Sequence, residues 1–314
     1  MHVSVVIPMW NQLELTCRCL QSLRGVARPA EQVIIVDNGS QPDPCRDLEV
    51  VWPGITVLRM QQNRGFAGGC NAGIRQALAA GADAVLVLNN DVVVDPLMLG
   101  TLVDVLDRDT QIAAAGAKML TDETPPRIHA AYGVLTFHGS LVRIEGWLEP
   151  RTEKFCEERD VDVVTGGAVL LRRQALETVG LFDEAFFAYH EDVDWCMRAR
   201  RRGWRLRYVP QARVFHRMHA STGGGYVSAI TYLVARNSVL VVRKNASWGQ
   251  ALVFAFYTMG NLLKDARYRW RVGELAGYRL RLRGLRDGLL GRAVPLAELG
   301  LISAAGSDGS AGQA

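Results

Sequence analysis

Amide and acid side chains that can do chemistry follow a wholly apolar segment in the first third of the chain. Asn89-Asn90-Asp91 comes directly after Ala84–Leu88 (AVLVL). An apolar run of this kind is typical of a strand in a parallel sheet covered on both faces, and such sheets bind ligands at the carboxyl ends of their strands. We therefore expect Asp91 to hold a divalent metal, Mg²⁺ or Mn²⁺, against a diphosphate. The alternative is that Asp91 only terminates the strand.

Two further segments are suited to binding a nucleotide. Gln32–Val36 predicts a second strand, which ends in the turn-forming residues 37–40 (DNGS). A carboxylate at the tip of this strand is well placed to contact a ribose or a base, although Asp37 could instead close an Asx turn. Asn63–Gly73 is rich in glycine and precedes a helix, so its backbone N–H groups can approach an anion closely. The alternative here is a flexible glycine turn.

Three acids occur together much later in the chain. Glu191, Asp192 and Asp194 fall at the start of a predicted helix that continues to about Gly203, where the helix dipole favours negative charge. A carboxylate within hydrogen-bond reach of a hydroxyl group can remove its proton, so each of the three is a candidate base. The alternative is that Asp192 only caps the helix and that Glu191 or Asp194 does the chemistry. His216 directly follows another short apolar strand.

Alternating strand and helix patterns separate these candidate residues. Apolar β-branched runs predict strands, and apolar residues at helical spacing between them predict the crossover helices of an α/β protein. We expect a Rossmann-like, mostly parallel sheet with helices on both faces. One helix is predicted to begin with a capping box of Asn11 and Glu14, and another with Asp95 as its N-cap. The predicted strands are Val3–Ile7, Gln32–Val36, Ile55–Met60, Ala84–Leu88 and Ile112–Ala115.

The overall composition is that of a protein with an ordinary core. The chain has 314 residues, of which 49% are hydrophobic and 22% are charged. The net charge of +4 is too small to indicate a nucleic-acid partner. The six cysteines include no C-x-x-C pair, which argues against a zinc or redox site, and the first ten residues lack the pattern of a signal peptide. We therefore expect reduced cysteines and a cytoplasmic location.

The C-terminal part of the chain has a different character. Residues 245–263 are apolar but interrupted by polar and glycine residues, and residues 264–292 carry nine Lys or Arg against three acids. An amphipathic, basic, aromatic helix suits peripheral contact with the inner face of a cell membrane, while packing in a homo-oligomer is the alternative. We expect a domain at 1–244, with a nucleotide-binding half (1–115) and an acceptor and catalytic half (116–244). A helical segment at 245–302 and a disordered tail at 303–314 follow.

The order of these motifs is similar to that of a known family. The chain resembles the family-two glycosyltransferases with a GT-A fold, specifically the bacterial rhamnosyltransferase-like branch, over roughly residues 3–245. The matching motifs are VSVVIPMWN (3–11), VDNGS (36–40), NRGFAGGCNAGI (63–74), LNNDVVVDP (88–96), TGGAVLLRR (165–173), GLFDEAFFAYHEDVDWCMRARRRGW (180–204) and VFH (214–216).

The resemblance implies a nucleotide and metal site. Pro8 and Asp37 would line the base and ribose, and the loop around Asn63 and Asn71 would border the nucleotide. The residues Asn89, Asn90 and Asp91 stand where the family has D-x-D, so Asp91 would bind the metal and the two amides would contact the nucleotide. His216 would be a second metal ligand. Two departures from the family pattern are Asn89 in place of the first Asp, and Cys70 where many relatives carry Arg.

The resemblance also implies the reaction. Asp192 would be the catalytic base, with Glu191 and Asp194 as supporting acids. One base without a second nucleophilic carboxylate implies inversion at the sugar carbon. The expected function is transfer of a sugar from a nucleotide-diphosphate donor to a hydroxyl group of a glycan or lipid-linked glycan in cell-surface polysaccharide biosynthesis. The donor would be dTDP-rhamnose, which carries L-rhamnose, or a UDP- or GDP-sugar.

Three other functions are compatible with a nucleotide-binding α/β sheet. A sugar nucleotidylyltransferase would need a glycine- and arginine-rich signature near the N-terminus, which VSVVIPMWN does not supply. A non-catalytic nucleotide-sugar-binding scaffold would not need Asp91, Asp192 and His216. A dehydrogenase would need G-x-G-x-x-G after the first strand, where Pro8 and Trp10 stand instead.

Overall fold

The computed structural model describes residues 1–138, 140–217, 228–273 and 275–302. The predicted disordered tail, residues 303–314, lies outside the described residues. The strands are β1 (Val3–Met9), β2 (Gln32–Asp37), β3 (Thr56–Arg59), β4 (Ala84–Leu88), β5 (Val92–Val94), β6 (Ile112–Thr121), β7 (Ile128–Ala130), β8 (Gly133–His138), β9 (Ser140–Ile144), β10 (Arg159–Asp160), β11 (Ala168–Arg172) and β12 (Arg205–His216). The helices are α1 (Leu13–Leu23), α2 (Cys45–Val51), α3 (Gly65–Ala79), α4 (Met98–Arg108), α5 (Arg173–Val179), α6 (Glu191–Arg201), α7 (Ala229–Asn245), α8 (Trp248–Val272) and α9 (Leu275–Leu290).

The main sheet has the strand order β10-β12-β6-β11-β4-β1-β2-β3. β4, β1, β2 and β3 pair in parallel, and so do β6 and β12. β11 lies between these two groups and is antiparallel to both β4 and β6. The sheet is therefore mixed but mostly parallel, which confirms the predicted α/β class.

Both faces of the sheet are covered, as the solid apolar strands require. Successive side chains of a strand point to opposite faces, and β1 shows the consequence. Val6 packs in the core cluster that includes Ile74 of α3, whereas Val5 packs in the cluster that includes Leu20 of α1 and Leu102 of α4. The predicted placement of helices on both faces is confirmed.

Two predicted helix starts are wrong. α1 begins at Leu13 and has no side-chain cap, because the Asn11 carboxamide instead accepts a hydrogen bond from the Gln41 backbone N–H at 2.9 Å. α4 begins at Met98, two residues later than Pro96. The Asp95 carboxylate accepts from the Leu97 N–H at 3.0 Å and so closes a turn before the helix. In both cases the side chain binds a backbone N–H outside the helix, in the loop after β2 for Asn11 and in the turn before α4 for Asp95.

The C-terminal helices pack back onto the chain through close backbone contact. A Cβ atom added at Gly284 of α9 would lie 2.5 Å from the Tyr232 carbonyl oxygen of α7, and one at Gly288 would lie 2.4 Å from the Arg236 carbonyl oxygen. Helix α9, which follows residue 245, therefore packs directly on α7, which ends at that residue. The division of the chain into domains stays a prediction. Among the described residues, no helix has both the length and the apolar character needed to cross a membrane.

Replacing Gly284 with alanine should destabilise the protein, because the added methyl group meets backbone that cannot rotate away. We expect the free energy of unfolding to fall by about 1–3 kcal/mol, measured by chemical denaturation. Gly260→Ala is the matched control, since a Cβ at Gly260 in α8 meets nothing within 4 Å. That change should stabilise the helix by roughly 0.5–1 kcal/mol. Equal effects of the two substitutions would contradict the close α7–α9 contact.

Candidate active site

A cleft of about 620 Å³ opens at the carboxyl-terminal edge of the parallel strands. Its walls include Pro8 near the end of β1, Asn89-Asn90-Asp91 after β4 and His216 at the end of β12. Residues Glu191 and Asp192, at the first turn of α6, line it as well. The volume lies within the range of small-molecule sites.

The fold brings together most of the residues that the sequence predicted for the site. These residues come from segments far apart in the chain, and the parallel strands deliver them to one edge. Those that line the cleft are Pro8, Asn63, Asn89, Asn90, Asp91, Glu191, Asp192 and His216. The role assigned to each of them stays a prediction.

Asp91 and His216 form a close pair on the cleft wall. The imidazole Nε2 of His216 lies 3.2 Å from the Asp91 carboxylate, whose side chain is only 2% exposed. β5 and β12 pair antiparallel, and His216 stands opposite Val92 in their register, which places the two side chains together. The other ring nitrogen, Nδ1 of His216, is buried and has no hydrogen-bond partner among the described residues.

Aromatic rings extend this wall towards solvent. The His129 ring stacks on the His216 ring with centroids 4.6 Å apart and planes only 10° from parallel. The centroid of the Trp147 ring lies 5.0 Å from that of His129, and Trp147 is 55% exposed. Both His129 and Trp147 line the cleft.

Glu191 and Asp192 are two neighbouring acids held in a poorly solvated place. The Asp192 carboxylate accepts hydrogen bonds from the backbone N–H of Gly166 at 3.0 Å and of Val193 at 2.8 Å. Burial nevertheless raises the pKa of Asp192. Burial, and secondarily the charge of Asp192, raises the pKa of Glu191 well above its ordinary value. Pairs of acids with pKa values perturbed in this way are typical of catalytic sites.

The other departure from the family pattern lies beside these acids. Cys70 of α3 is fully buried, and its pKa is raised by burial and then by the charge of Glu191. The Glu191 Oε2 atom is also buried and has no hydrogen-bond partner among the described residues. A thiol therefore stands near Glu191 where the resemblance would place an arginine.

The glycine pair before β11 is a part of the cleft that the sequence did not predict. Because β11 runs antiparallel to its neighbours, its amino end lies at the edge where the other strands have their carboxyl ends. Gly166 donates to Asp192, and the Gly167 carbonyl accepts from the Asn89 backbone N–H at 2.9 Å. The apolar pattern of the strand carries no signal of its direction.

The backbone that leads into α6 is strained. Phe187, Tyr189 and His190 have φ values of 64°, 69° and 69°, a region that side chains other than glycine rarely adopt. Burial lowers the pKa of His190 to about 4, so the imidazole is neutral near pH 7. Such strain persists only where surrounding structure holds it in place.

Asn237 of α7 holds this strained segment. Its buried Nδ2 group lies 2.8 Å from each of three backbone carbonyl oxygens, those of Phe186, Ala188 and Tyr189. Its Oδ1 atom accepts from Arg236, which also donates to the Ala185 carbonyl. Asn237 thereby positions the turn from which Glu191 and Asp192 emerge.

Replacing Asn237 with leucine should impair both folding and catalysis. The change leaves buried carbonyl groups without a donor, at about 1–3 kcal/mol each, so we expect at least about 2 kcal/mol of lost stability. The melting temperature should fall by roughly 4–8 °C. Ser238→Ala is the control, because among the described residues that hydroxyl bonds only within its own helix, and its loss should cost no more than about 0.5 kcal/mol. Unchanged melting in both variants would contradict the positioning role.

The amides on the cleft wall are already engaged with neighbouring groups. Asn90 Nδ2 lies 3.1 Å from both Gln12 Oε1 and Thr16 Oγ1, which ties the end of β4 to α1. Asn63 Nδ2 donates to the Leu301 carbonyl at 2.9 Å. Leu301, near the end of the described chain, thus also lines the cleft, and no pattern in the sequence indicated it.

Three predicted residues do not line the cleft. Asp37 is fully buried, and its carboxylate lies 2.7 Å from the Arg59 guanidinium. It also accepts a hydrogen bond from the Ser40 backbone N–H at 2.9 Å, which is the Asx turn that the sequence offered as the alternative. Asn71 exchanges hydrogen bonds with the Phe182 backbone at 2.8 and 3.0 Å. Asp194 bonds Arg198 and Asn245, each at 2.7 Å. Each of the three links secondary-structure elements around the site, and their predicted ligand contacts stay predictions.

Similar proteins carry out glycosyl transfer. An N-acetylglucosaminyl-diphospho-decaprenol L-rhamnosyltransferase of Mycobacterium tuberculosis is 28% identical over 251 residues, which cover 74% of this chain and 82% of the relative. Among solved structures, GalNAc-T7 with UDP, GalNAc and Mn²⁺ has a TM-score of 0.62 at 18% identity and covers 77% of this chain and 48% of that one. The mannosyltransferase PcManGT of Pyrobaculum calidifontis, with GDP-Man and Mn²⁺, has a TM-score of 0.56 at 15% identity. That likeness covers 95% of this chain and 78% of the mannosyltransferase chain.

The structural likenesses show the fold, which is the GT-A fold of glycosyltransferases that the sequence predicted. The family assignment is independent of them. The model of the family named Glycosyl transferase family 2 matches residues 4–180, which include β1 to β4 and the Asn89-Asn90-Asp91 motif. The chain is a glycosyltransferase and belongs to glycosyl transferase family 2.

Proposed function

We propose that this glycosyltransferase moves L-rhamnose from dTDP-rhamnose to a hydroxyl group of a glycan or lipid-linked glycan, with inversion at the sugar carbon. One observation carries the proposal. The Asp91–His216 pair and the half-buried acid Asp192 line the same cleft at the edge of the sheet. A metal-binding pair and a base within one cleft are what displacement at a nucleotide sugar requires.

The donor set of the Asp91–His216 pair fits a divalent metal. A carboxylate oxygen and an imidazole nitrogen 3.2 Å apart are ligand types that Mn²⁺ accepts, and Mg²⁺ is usually held by few protein groups together with substrate phosphates. The described residues contain no group of three or more potential ligands of this kind. A bound metal would neutralise negative charge on the leaving diphosphate. Asp91 and His216 are the residues that would hold it.

The Asp192 carboxylate is the proton acceptor in the proposed reaction. The acceptor hydroxyl oxygen forms a bond to the anomeric carbon while the bond from that carbon to the diphosphate oxygen breaks. The hydroxyl proton passes to the Asp192 carboxylate, whose raised pKa makes it a stronger base than an exposed aspartate. The N–H groups of Gly166 and Val193 fix the orientation of that carboxylate. Attack opposite the leaving group in one displacement inverts the sugar carbon.

The identity of the sugar and the acceptor rests on the relatives. The Mycobacterium tuberculosis relative is named for transfer of L-rhamnose to an N-acetylglucosaminyl-diphospho-lipid. At 28% identity this name supports a rhamnosyl donor and a lipid-linked acceptor for the present chain. The exposed aromatic wall of the cleft supports a glycan acceptor, because aromatic side chains offer an apolar surface to a bound ligand.

Trp147 is expected to bind the acceptor. Its exposed ring stands on the wall formed by His129 and His216, and removing it should weaken acceptor binding and leave donor binding intact. We expect Trp147→Ala to raise KM for the acceptor roughly tenfold, equivalent to about 1.4 kcal/mol of lost contact. Steady-state kinetics with each substrate varied in turn measure this. A rise in KM for the donor instead would show that Trp147 contacts the donor and not the acceptor.

A donor panel tests the proposed function. The purified protein is mixed with Mg²⁺ or Mn²⁺ and dTDP-rhamnose, UDP-sugars or GDP-sugars, and the melting temperature and nucleotide diphosphate release are followed. We expect metal-dependent stabilisation by dTDP-rhamnose above the other donors, and diphosphate release when acceptor is added. If a UDP- or GDP-sugar stabilises the protein and dTDP-rhamnose does not, the proposed donor is wrong. Binding without release under any acceptor would favour a non-catalytic scaffold.

A further inference from the structure

Helix α8 exposes an apolar face that the rest of the described chain does not cover. Trp248, Phe256 and Trp270 are 88%, 76% and 74% exposed, although side chains of this size are normally buried. Three more exposed apolar side chains lie between them in the sequence. The six residues, which we call the α8 face, are Trp248, Leu252, Phe256, Met259, Leu263 and Trp270.

The spacing of the α8 face places its members on one side of the helix. The intervals along the chain are four, four, three, four and seven residues. At 3.6 residues per turn these positions fall within an arc of about 80°, and they extend along roughly 33 Å of helix. Phe254, on the other side of the helix, is buried against the protein. The α8 face is therefore a continuous apolar stripe turned away from the protein core.

The charge beside this stripe is of one sign. Lys264, Arg267 and Arg271 are exposed and flank the α8 face on the same edge. Asp265 is the sole acid in the sequence of α8, and it is half-buried on the opposite side, bonded to Arg269 at 3.3 Å and Arg281 at 3.0 Å. No acid of α8 thus lies beside the stripe.

We propose that the α8 face binds an anionic lipid surface, with the helix lying flat in the interface. An apolar stripe with tryptophan at both ends and basic residues along its edge matches the layered chemistry of such a surface, apolar below and negatively charged above. The aromatic rings sit at the boundary, and the basic side chains meet the lipid phosphates.

The same charges argue against a second copy of the chain as the occupant. Helices that pair along an apolar stripe select their partner through opposite charges on the flanking positions. Two α8 helices paired along this stripe would place Lys264, Arg267 and Arg271 of each copy against a helix that carries no acid beside its own stripe. A lipid surface supplies the missing negative charge.

Vesicle co-sedimentation of the full chain tests this proposal and does not depend on transferase activity. We expect the protein to sediment with vesicles of equal parts phosphatidylcholine and phosphatidylglycerol, and to be released at high salt. Phosphatidylcholine alone should bind at least about tenfold more weakly. The paired substitutions Phe256→Glu and Leu263→Glu, and the triple substitution of Lys264, Arg267 and Arg271 by glutamate, should each weaken binding at least about tenfold.

A matched control carries two glutamates at exposed apolar positions outside α8, Val50→Glu and Leu97→Glu, and should bind as the unaltered protein does. Light scattering during gel filtration gives the mass of each form for comparison with the 34.6 kDa chain. Failure of the unaltered protein to bind anionic vesicles would overturn the proposal. Full binding by the Phe256→Glu, Leu263→Glu variant would also overturn it. So would a dimer that this variant converts to a monomer.

Discussion

Replacing Asp192 with asparagine should reduce kcat by roughly 10²–10⁴-fold, the usual contribution of a general base, and leave donor affinity unchanged. The asparagine side chain keeps the shape of aspartate and can still accept from the Gly166 N–H, so the backbone around α6 should stay in place. What it loses is the ability to take the acceptor proton. Steady-state kinetics measure the loss of kcat, and the donor-induced shift of the melting temperature measures donor affinity, so the two effects are separated.

The pH dependence of turnover provides a second readout for the same residue. Asp192 must be unprotonated to act as a base, and burial raises its pKa. The rate should therefore fall as the pH drops through this raised pKa, starting at a higher pH than it would for an exposed aspartate. The residual activity of Asp192→Asn should lack this fall. If Glu191→Gln abolishes turnover while Asp192→Asn retains it, Glu191 is the base.

The second large effect is expected at Asp91. Asp91→Asn removes the charge of the proposed metal ligand without changing its size, and we expect kcat/KM for the donor to fall at least about 100-fold, equivalent to roughly 2.7 kcal/mol. The stabilisation of the protein by metal and donor together should disappear. His216→Gln should have a smaller effect in the same direction, because the carboxylate remains.

Asp95→Asn is the matched control for this variant. Asp95 lies four residues along the chain, and its Oδ1 accepts from the Leu97 N–H, a bond that asparagine can also make. Its donor kinetics should equal those of the unaltered enzyme. Metal-dependent donor binding that survives in Asp91→Asn would exclude Asp91 as the principal ligand.

Local sequence patterns predicted the parts of the site that follow directly from strand positions. Ala84–Leu88 is a solid apolar run, so it had to be a covered strand, and Asn89 to Asp91 had to emerge at its carboxyl end. His216 was placed in a similar way, directly after a short apolar strand, and it is the last residue of β12. β4 and β12 run in the same direction, and the antiparallel pairing of β5 with β12 brings Asp91 and His216 together.

Other parts of the site depend on tertiary contacts that no local pattern contains. The direction of β11, which brings Gly166 to Asp192, is set by its neighbours in the sheet. The strained residues before α6 are held by Asn237, about fifty positions further on, which reads as an ordinary helical residue in the sequence. Leu301 reaches the cleft through a bond to Asn63 across 238 positions.

The capping residues illustrate a different reason for failure. Asn11 and Asp95 have side chains suited to an N-cap, and each accepts a backbone N–H as such residues do. The competing partner is a turn or loop rather than the helix. Sequence identifies the capping chemistry of such residues, and the surrounding loop decides which N–H group they bind.

The stereochemistry of the product tests the account most directly. The enzyme is incubated with the donor that the panel identifies and with an N-acetylglucosaminyl-diphospho-lipid, and the anomeric configuration of the new glycosidic bond is determined by NMR. A single displacement with Asp192 as base predicts a product of the configuration opposite to that of the donor. A product that retains the donor configuration would contradict the account, because retention requires a second displacement and a nucleophile that it does not include.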